Sequence, residues 1–196
     1  MCIRDRSNNN EVIDACIVGE PTNPDYLGQM IKIGRRGSFT GWLTVTGVQG
    51  HTAYPHLAEN PLSKLVKMLE PLAEEQLDQG TEYFPPTTAA ISSIDTGNSA
   101  SNVIPQKVTA SFNIRFNDTR TADDIEKWLR AHFDSVGGNY TLETACSSNA
   151  FITEPGALSD DLVSAVKDVM GTHPAMSTTG GTSDARFIRK FCPVIE

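Results

Sequence analysis

Several residues stand where their types and spacing can do chemistry. Glu20 closes an apolar run, Glu11 to Val18, and directly precedes Pro21. That is a position where an α/β sheet presents ligands; a carboxylate there either holds a metal or lies solvated in a loop. His51 and His56 bracket Thr52-Ala53-Tyr54-Pro55, a spacing unlike a zinc pair. A single histidine in a glycine-flanked loop can instead donate a hydrogen bond to a developing oxyanion. Arg35 and Arg36 lie between Gly34 and Gly37. They can grip a carboxylate or phosphate through bidentate pairs, or form a solvated turn. Gly180-Gly181-Thr182-Ser183-Asp184 has the composition of an anion-cradling turn that opens a helix, but it lacks the lysine of a P-loop, which argues against nucleotide. His132 is expected to pack beside Trp128, and His173, before Pro174, to be a solvated turn residue.

The elements that must position these groups follow from periodicity. Met30 to Ile33 reads as a strand, and from Phe39 to Thr46 apolar residues alternate with threonines. A helix begins at Asn60-Pro61, with Leu62, Leu65, Val66, Leu69, Leu72 and Ala73 as its apolar stripe, a kink at Pro71 and an end at Gly80. Two strands follow, Thr87 to Ile94 and Lys107 to Phe116. In the second, Val108, Ala110, Phe112, Ile114 and Phe116 share one face and Ser111, Asn113 and Arg115 the other. Thr121-x-x-Asp124 is a capping box for a second helix that stops at Gly137-Gly138. Asn139 to Ala145 is a further strand, and a third helix is expected from a Ser159 cap to a stop at Gly171.

Ser38 to Cys146 therefore reads β-α-β-β-α-β, a ferredoxin-like unit inserted into a larger α/β domain. The organisation expected is a non-native leader over 1–7, part of an α/β domain over 8–36, the inserted unit over 37–149, and a second, truncated part of the α/β domain over 150–196. Met1 to Arg6 has no helical or strand period, and Cys192 to Glu196 is a strand-like run without a following turn. Both ends read as those of a fragment.

The chain has 196 residues, 16 Lys plus Arg against 24 Asp plus Glu, and a formal charge of -8. This balance disfavours a nucleic-acid or anionic-membrane surface. No apolar run reaches the roughly 18 residues of a membrane span, so a soluble, cytoplasmic protein is expected. Cys2, Cys16, Cys146 and Cys192 are far apart with no CxxC pair, which points to buried thiols and to neither a zinc ribbon nor a redox motif.

Taken in order, seven motifs carry a resemblance. They are Gly19-Glu20-Pro21-Thr22, Gly34-Arg35-Arg36-Gly37-Ser38, Gln49-Gly50-His51-x-Ala53-Tyr54-Pro55, Phe84-Pro85-Pro86-Thr87, Asn102-Val103-Ile104-Pro105, Phe112-Asn113-x-Arg115 and Gly180-Gly181-Thr182-Ser183-Asp184-x-Arg186-Phe187. The sequence resembles the succinyl-diaminopimelate desuccinylase family, within the dinuclear-zinc aminoacylase and carboxypeptidase superfamily, over nearly everything after Glu11.

The resemblance implies a zinc-binding catalytic domain with an inserted lid that also makes a homodimer. It implies that Glu20 is a terminal zinc ligand and that His51 reaches across the dimer to stabilise the tetrahedral intermediate. Asn102 and Arg115 match lid positions that bind substrate, Arg115 suiting a carboxylate, and Arg36, Gly181, Thr182 and Ser183 match the substrate pocket. The implied cofactor is a pair of zinc ions, with cobalt as a substitute. The implied reaction is metal-assisted hydrolysis of a small N-succinyl amide to succinate and diaminopimelate, with neither nucleic acid nor membrane as partner. Ala185 departs from the glycine usual in its motif. The family's other zinc ligands and its glutamate base fall outside these residues, so the chain is expected to be inactive alone. The alternatives are a related N-acyl amino acid deacylase or aminopeptidase of the superfamily, or a non-catalytic dimerisation module.

Overall fold

The computed structural model describes residues 12–74 and 76–196. The leader expected over 1–7, with Cys2, lies outside the described residues. In chain order the first elements are β1 (Cys16–Ile17), β2 (Met30–Lys32), β3 (Gly34–Arg35), β4 (Gly37–Thr46), β5 (Gly50–His51) and α1 (Pro61–Leu69). Next come β6 (Thr88–Asp95), β7 (Val103–Ile104), β8 (Lys107–Phe116), α2 (Ala122–Val136) and β9 (Asn139–Ser148). The last are β10 (Phe151–Ile152), α3 (Ala157–Met170), β11 (Ala175–Ser177), α4 (Ala185–Ile188) and β12 (Val194–Ile195). The chain divides into two compact units. One comprises Gly37–Thr81 and Pro86–Asn149; the other comprises the described residues up to Arg36, Glu82–Pro85 and Ala150–Glu196.

The first unit is built on the period-2 alternation of its strands. The sheet order is β6-β8-β4-β9 with every pair antiparallel, and with α1 and α2 it forms the ferredoxin-like β-α-β-β-α-β arrangement. Phe39, Leu43, Val45, Phe112, Ile114 and Phe116 of the central strands form one buried cluster with Leu65, Met68 and Leu69 of α1 and Ile125, Leu129 and Phe133 of α2. Each such side chain contributes about 1.5–3 kcal/mol on burial. Two glycines of β4 make room for rings from β8. Gly37 pairs with Phe116 and Gly41 with Phe112, and each ring lies where a glycine Cβ would stand.

The helix caps follow from local chemistry. Asn60 Oδ1 accepts the Leu62 N–H at 3.0 Å, and Pro61 occupies the first turn. Thr121 and Asp124 make the reciprocal capping box of α2. The expected end of α1 at Gly80 is corrected: the helix stops at Leu69 and one 3-10 turn covers Glu70–Leu72. Pro71 has no N–H to donate and its ring blocks the carbonyl four residues back. Val66, expected on the apolar stripe, is 64% exposed; the buried face runs through Leu65, Met68 and Leu69 instead. Beyond α1, Asp78 Oδ1 accepts the N–H groups of Gly80 and Thr87 and the Asn117 side-chain amide, each at 2.9 Å. One carboxylate thereby ties the 78–87 connection to the end of β8.

In the second unit β1 pairs with β12 and β2 with β11, both parallel, while β3 pairs with β10 antiparallel. Ile31, Ile33 and Ile195 pack against Leu158, Leu162 and Val163. Helix α3 begins earlier than the Ser159 cap expected. Gly156 is the N-cap, and Ser159 Oγ reaches back to accept its N–H at 2.8 Å. The buried-thiol expectation holds for Cys192; Cys16 is half-buried and Cys146 exposed. Among the described residues no helix is long and apolar enough to cross a membrane.

Candidate functional site

Of the expected site residues, His51 and Asn102 come together in the ferredoxin-like unit while Arg115 lies near the opposite end of β8, and in the other unit Glu20 and Ser183 are linked only by way of Glu196. In the ferredoxin-like unit, the loop expected over Gly47 to His51 and the turn-rich segment expected over Asp95 to Pro105 form a short antiparallel ladder. Gly50 pairs with Ile104 and His51 with Val103, and the Asn102 carbonyl accepts the Thr52 N–H at 3.0 Å. His51 and Asn102 thus become neighbours on an exposed ladder. Asn98 shapes its far side: its amide donates to the carbonyls of Ala100 and Val103, and its carbonyl accepts the Ala100 N–H.

The His51 ring is held by its own turn. Nδ1 accepts the Ala53 N–H at 3.0 Å, and the His51 carbonyl accepts the Tyr54 N–H at 2.9 Å. With Nδ1 serving as acceptor, the proton of the neutral imidazole resides on Nε2. Tyr54 lies beside the ring at a centroid distance of 5.9 Å. The arrangement presents a donor from an exposed, braced ring. Arg115 stands on the sheet face opposite the helices, half-buried, in register with Ser38 on one side and Thr88 on the other. On that face Asn113 donates its side-chain amide to Thr40 Oγ1 at 3.0 Å and Ser38 Oγ at 3.3 Å.

In the other unit, the parallel pair β1 and β12 sends Glu20 and Glu196 beyond adjacent carboxyl ends, where open α/β sheets bind ligands. Both line a cavity of about 370 Å³ together with Met30 and Leu162. Glu20 is half-buried, as is Arg36 at the end of β3. Among the described residues no three His, Cys, Asp or Glu side chains come close enough to hold a metal ion. The described residues therefore do not make a metal centre by themselves.

Gly181, Thr182 and Ser183 lie in the turn between β11 and α4. Gly181 is exposed and Thr182 half-buried, whereas Ser183 is buried and its hydroxyl donates to Glu196 Oε1. Beneath this turn lies a buried polar network. Arg35 donates from Nε to Glu196 Oε2 at 2.7 Å, pairs with the same oxygen through Nη2, and donates from Nη1 to the Thr179 carbonyl at 3.2 Å. Lys32, 4% exposed, donates from Nζ to Thr179 Oγ1 at 2.7 Å and Ser177 Oγ at 3.1 Å. Burial pushes the Lys32 ammonium below its usual range, the Arg35 guanidinium adds to the shift, and Glu196 opposes it. Neither Lys32 nor Glu196 was marked as functional by the sequence, although a lysine inside the apolar run Met30 to Ile33 is the signal that marks the network. Arg35, left open between an anion grip and a solvated turn, is buried and pairs within the protein.

Comparison with known proteins agrees with this architecture. Succinyl-diaminopimelate desuccinylase from Parvibaculum lavamentivorans is 54% identical over 191 residues, covering 95% of this chain and 48% of that protein. The desuccinylase from Rhodospirillum centenum is 58% identical over 186 residues, with the same coverage. The chain spans about half the length of the curated relatives it matches. The crystal structure of the M20 family metallo-carboxypeptidase Sso-CP2 from Sulfolobus solfataricus superposes with a TM-score of 0.76 at 15% identity, covering 99% of this chain and 57% of that one. That likeness shows a shared fold. Residues 33–141 match the peptidase dimerisation domain model, and the chain belongs to that family.

Proposed function

We propose that this chain is the lid-bearing part of a zinc-dependent amide hydrolase. Its reaction removes succinate from N-succinyl-LL-2,6-diaminopimelate in cytoplasmic diaminopimelate and lysine synthesis. The observation that carries the reading is the braced His51 ring, which offers Nε2–H from an exposed ladder in a dimerisation domain whose curated relatives are desuccinylases. A donor of this kind lowers a hydrolytic barrier only if it meets the oxygen on which negative charge develops. An exposed lid position suits delivery to the active site of the second subunit of a homodimer. Glu20 is one ligand of a two-zinc centre, for which cobalt can substitute, and the remaining ligands lie outside this chain. Arg115 binds a substrate carboxylate, Asn102 orients the substrate beside His51, and Arg36 with the Gly181–Ser183 turn lines the pocket.

The outer edge of β6 beyond Thr88, where Ile94 is 52% exposed, and the exposed Val66 of α1 supply the dimer contact. The test is to assay the complete enzyme against a panel of N-acyl diamino acids. A preference for the succinyl over the acetyl compound is expected; equal or reversed preference sinks the desuccinylase reading in favour of a related deacylase or aminopeptidase. A second reading concerns this polypeptide alone. Because the described residues bring no three metal ligands together, it acts as a dimerising, non-catalytic piece. Sedimentation should then give a dimer with no hydrolysis in the presence of zinc, and turnover would refute it.

A further inference from the structure

A network of Lys32, Arg35 and Glu196 lies buried beneath the Thr179–Ser183 turn. The turn carries no regular secondary structure between β11 and α4, so its backbone path depends on whatever bonds reach it. Glu196 reaches it from two sides. One carboxylate oxygen accepts from Arg35, whose Nη1 continues to the Thr179 carbonyl at 3.2 Å; the other accepts the Ser183 hydroxyl. The fit is close. Gly180 has φ of 103°, and a Cβ there would stand 2.4 Å from Arg35 Nη1, so the turn's backbone lies directly on the guanidinium. The Glu196 side chain is 2% exposed and that of Arg35 is 9% exposed. A buried carboxylate of this kind is strongly coupled to its partners, because losing it strands a buried cation. Lys32 holds the other end of the turn through Ser177 and Thr179.

We infer that Glu196 is a positioning residue that, through Arg35 and Ser183, fixes the Gly180–Thr182 backbone in the conformation that receives the substrate. This rests on the proposed reading that the turn meets the substrate. Glu196 acts through the turn and not on the substrate, since its two carboxylate oxygens accept from Arg35 and Ser183. A turn held in one conformation binds without an ordering cost, and a loosened one pays that cost at each encounter. Loss of the clamp therefore raises KM and leaves the chemical step largely intact.

The first measurement uses this chain, isotope-labelled, and reads amide order parameters. For Gly180, Gly181 and Thr182 they should be about 0.85, the rigid-backbone value, and fall towards about 0.6 in Ser183→Ala and Glu196→Gln. Ile31 and Ile33 should stay rigid in both variants. No loosening of the turn, or equal loosening of Ile31 and Ile33, overturns the inference; Ser183→Ala keeps the test informative if Glu196→Gln does not fold. The second measurement uses the complete enzyme. KM should rise roughly tenfold in Glu196→Gln, with kcat within about twofold. Glu196→Asp, which restores the charge, should recover part of the loss. A loosened turn with unchanged KM also overturns the inference. If no N-acyl substrate is hydrolysed, the functional reading fails separately, and the order parameters still decide whether Glu196 holds the turn.

Discussion

Gly41→Ala should destabilise the ferredoxin-like unit although it exchanges one small residue for another. Gly41 lies opposite Phe112 in the β4–β8 ladder, and its φ is outside the left-handed region, so the effect is steric and not one of backbone strain. An alanine Cβ would stand 2.3 Å from Phe112 Cζ and 2.6 Å from Cε2, against an optimal carbon–carbon separation of about 3.5–4.0 Å. The ring must therefore shift by more than about 1 Å, and it is fully buried among Leu43, Met68 and Leu129. Overpacking of this kind costs about 1–3 kcal/mol. Alanine also restricts the unfolded chain, which favours folding by about 0.4–1 kcal/mol. The clash wins, leaving a net loss of about 1–2 kcal/mol and a fall in Tm of roughly 5–12 °C for a unit of this size. Thermal unfolding followed by near-ultraviolet circular dichroism measures it. Adding Phe112→Leu should cost less in the Gly41→Ala background than in the wild type, because the smaller side chain relieves the clash. A Gly41→Ala protein melting at or above the wild type refutes the packing argued for β4 and β8, and with it the register that sets Arg115 beside Ser38.

Asp78 should give the unit an acid-sensitive tie. Burial disfavours its carboxylate, but hydrogen bonds from Thr87, Gly80 and Asn117 outweigh that and hold its pKa below the ordinary 3.8. A depressed carboxylate stabilises the fold above its unfolded pKa and loses that contribution as pH falls through the folded value. Asp78→Ala should thus be clearly less stable than wild type at pH 7 in urea titrations, and the gap should close as pH drops below about 4; a gap that widens on acidification contradicts this. Zinc should bind this chain only weakly, since a catalytic zinc takes three protein ligands and Glu20 is the sole ligand assigned. Equilibrium dialysis should show no difference between wild type and Glu20→Gln, and stoichiometric binding abolished by Glu20→Gln would reveal ligands not recognised here.

The ferredoxin-like unit was legible because its signals are local. The alternation from Val108 to Phe116, the Asn60 cap and the Thr121–Asp124 box each depend on residues within one strand or one turn, and all three stand in the structure. What the sequence misplaced has two causes, a local contest at Pro71 and partners distant in the chain. The apolar stripe runs past Pro71 towards Gly80, but the missing N–H and the ring of Pro71 outweigh it and end α1 at Leu69. The β5–β7 ladder joins residues about fifty apart that read singly as loops. Lys32 and Arg35 are charged side chains whose burial is possible only because Glu196 and the hydroxyls of Ser177 and Thr179 converge on them from the other end of the chain. No local pattern announces such a network, and the unusual placement of Lys32 in an apolar strand is its one trace.

In the proposed function His51 serves the active site of the second subunit, and subunit mixing in the complete enzyme tests this. His51→Ala alone and Glu20→Gln alone should each be nearly inactive, one lacking the oxyanion donor and the other a metal ligand. A heterodimer of the two contains one site that combines an intact Glu20 with the partner's intact His51, and a second site deficient in both. Mixing under conditions that exchange subunits should therefore restore about a quarter of wild-type activity, because random pairing makes about half the dimers heterodimers with one working site each. Recovery near that level supports a histidine acting across the interface. Verified subunit exchange with no recovery would contradict it and return His51 to a role within its own chain.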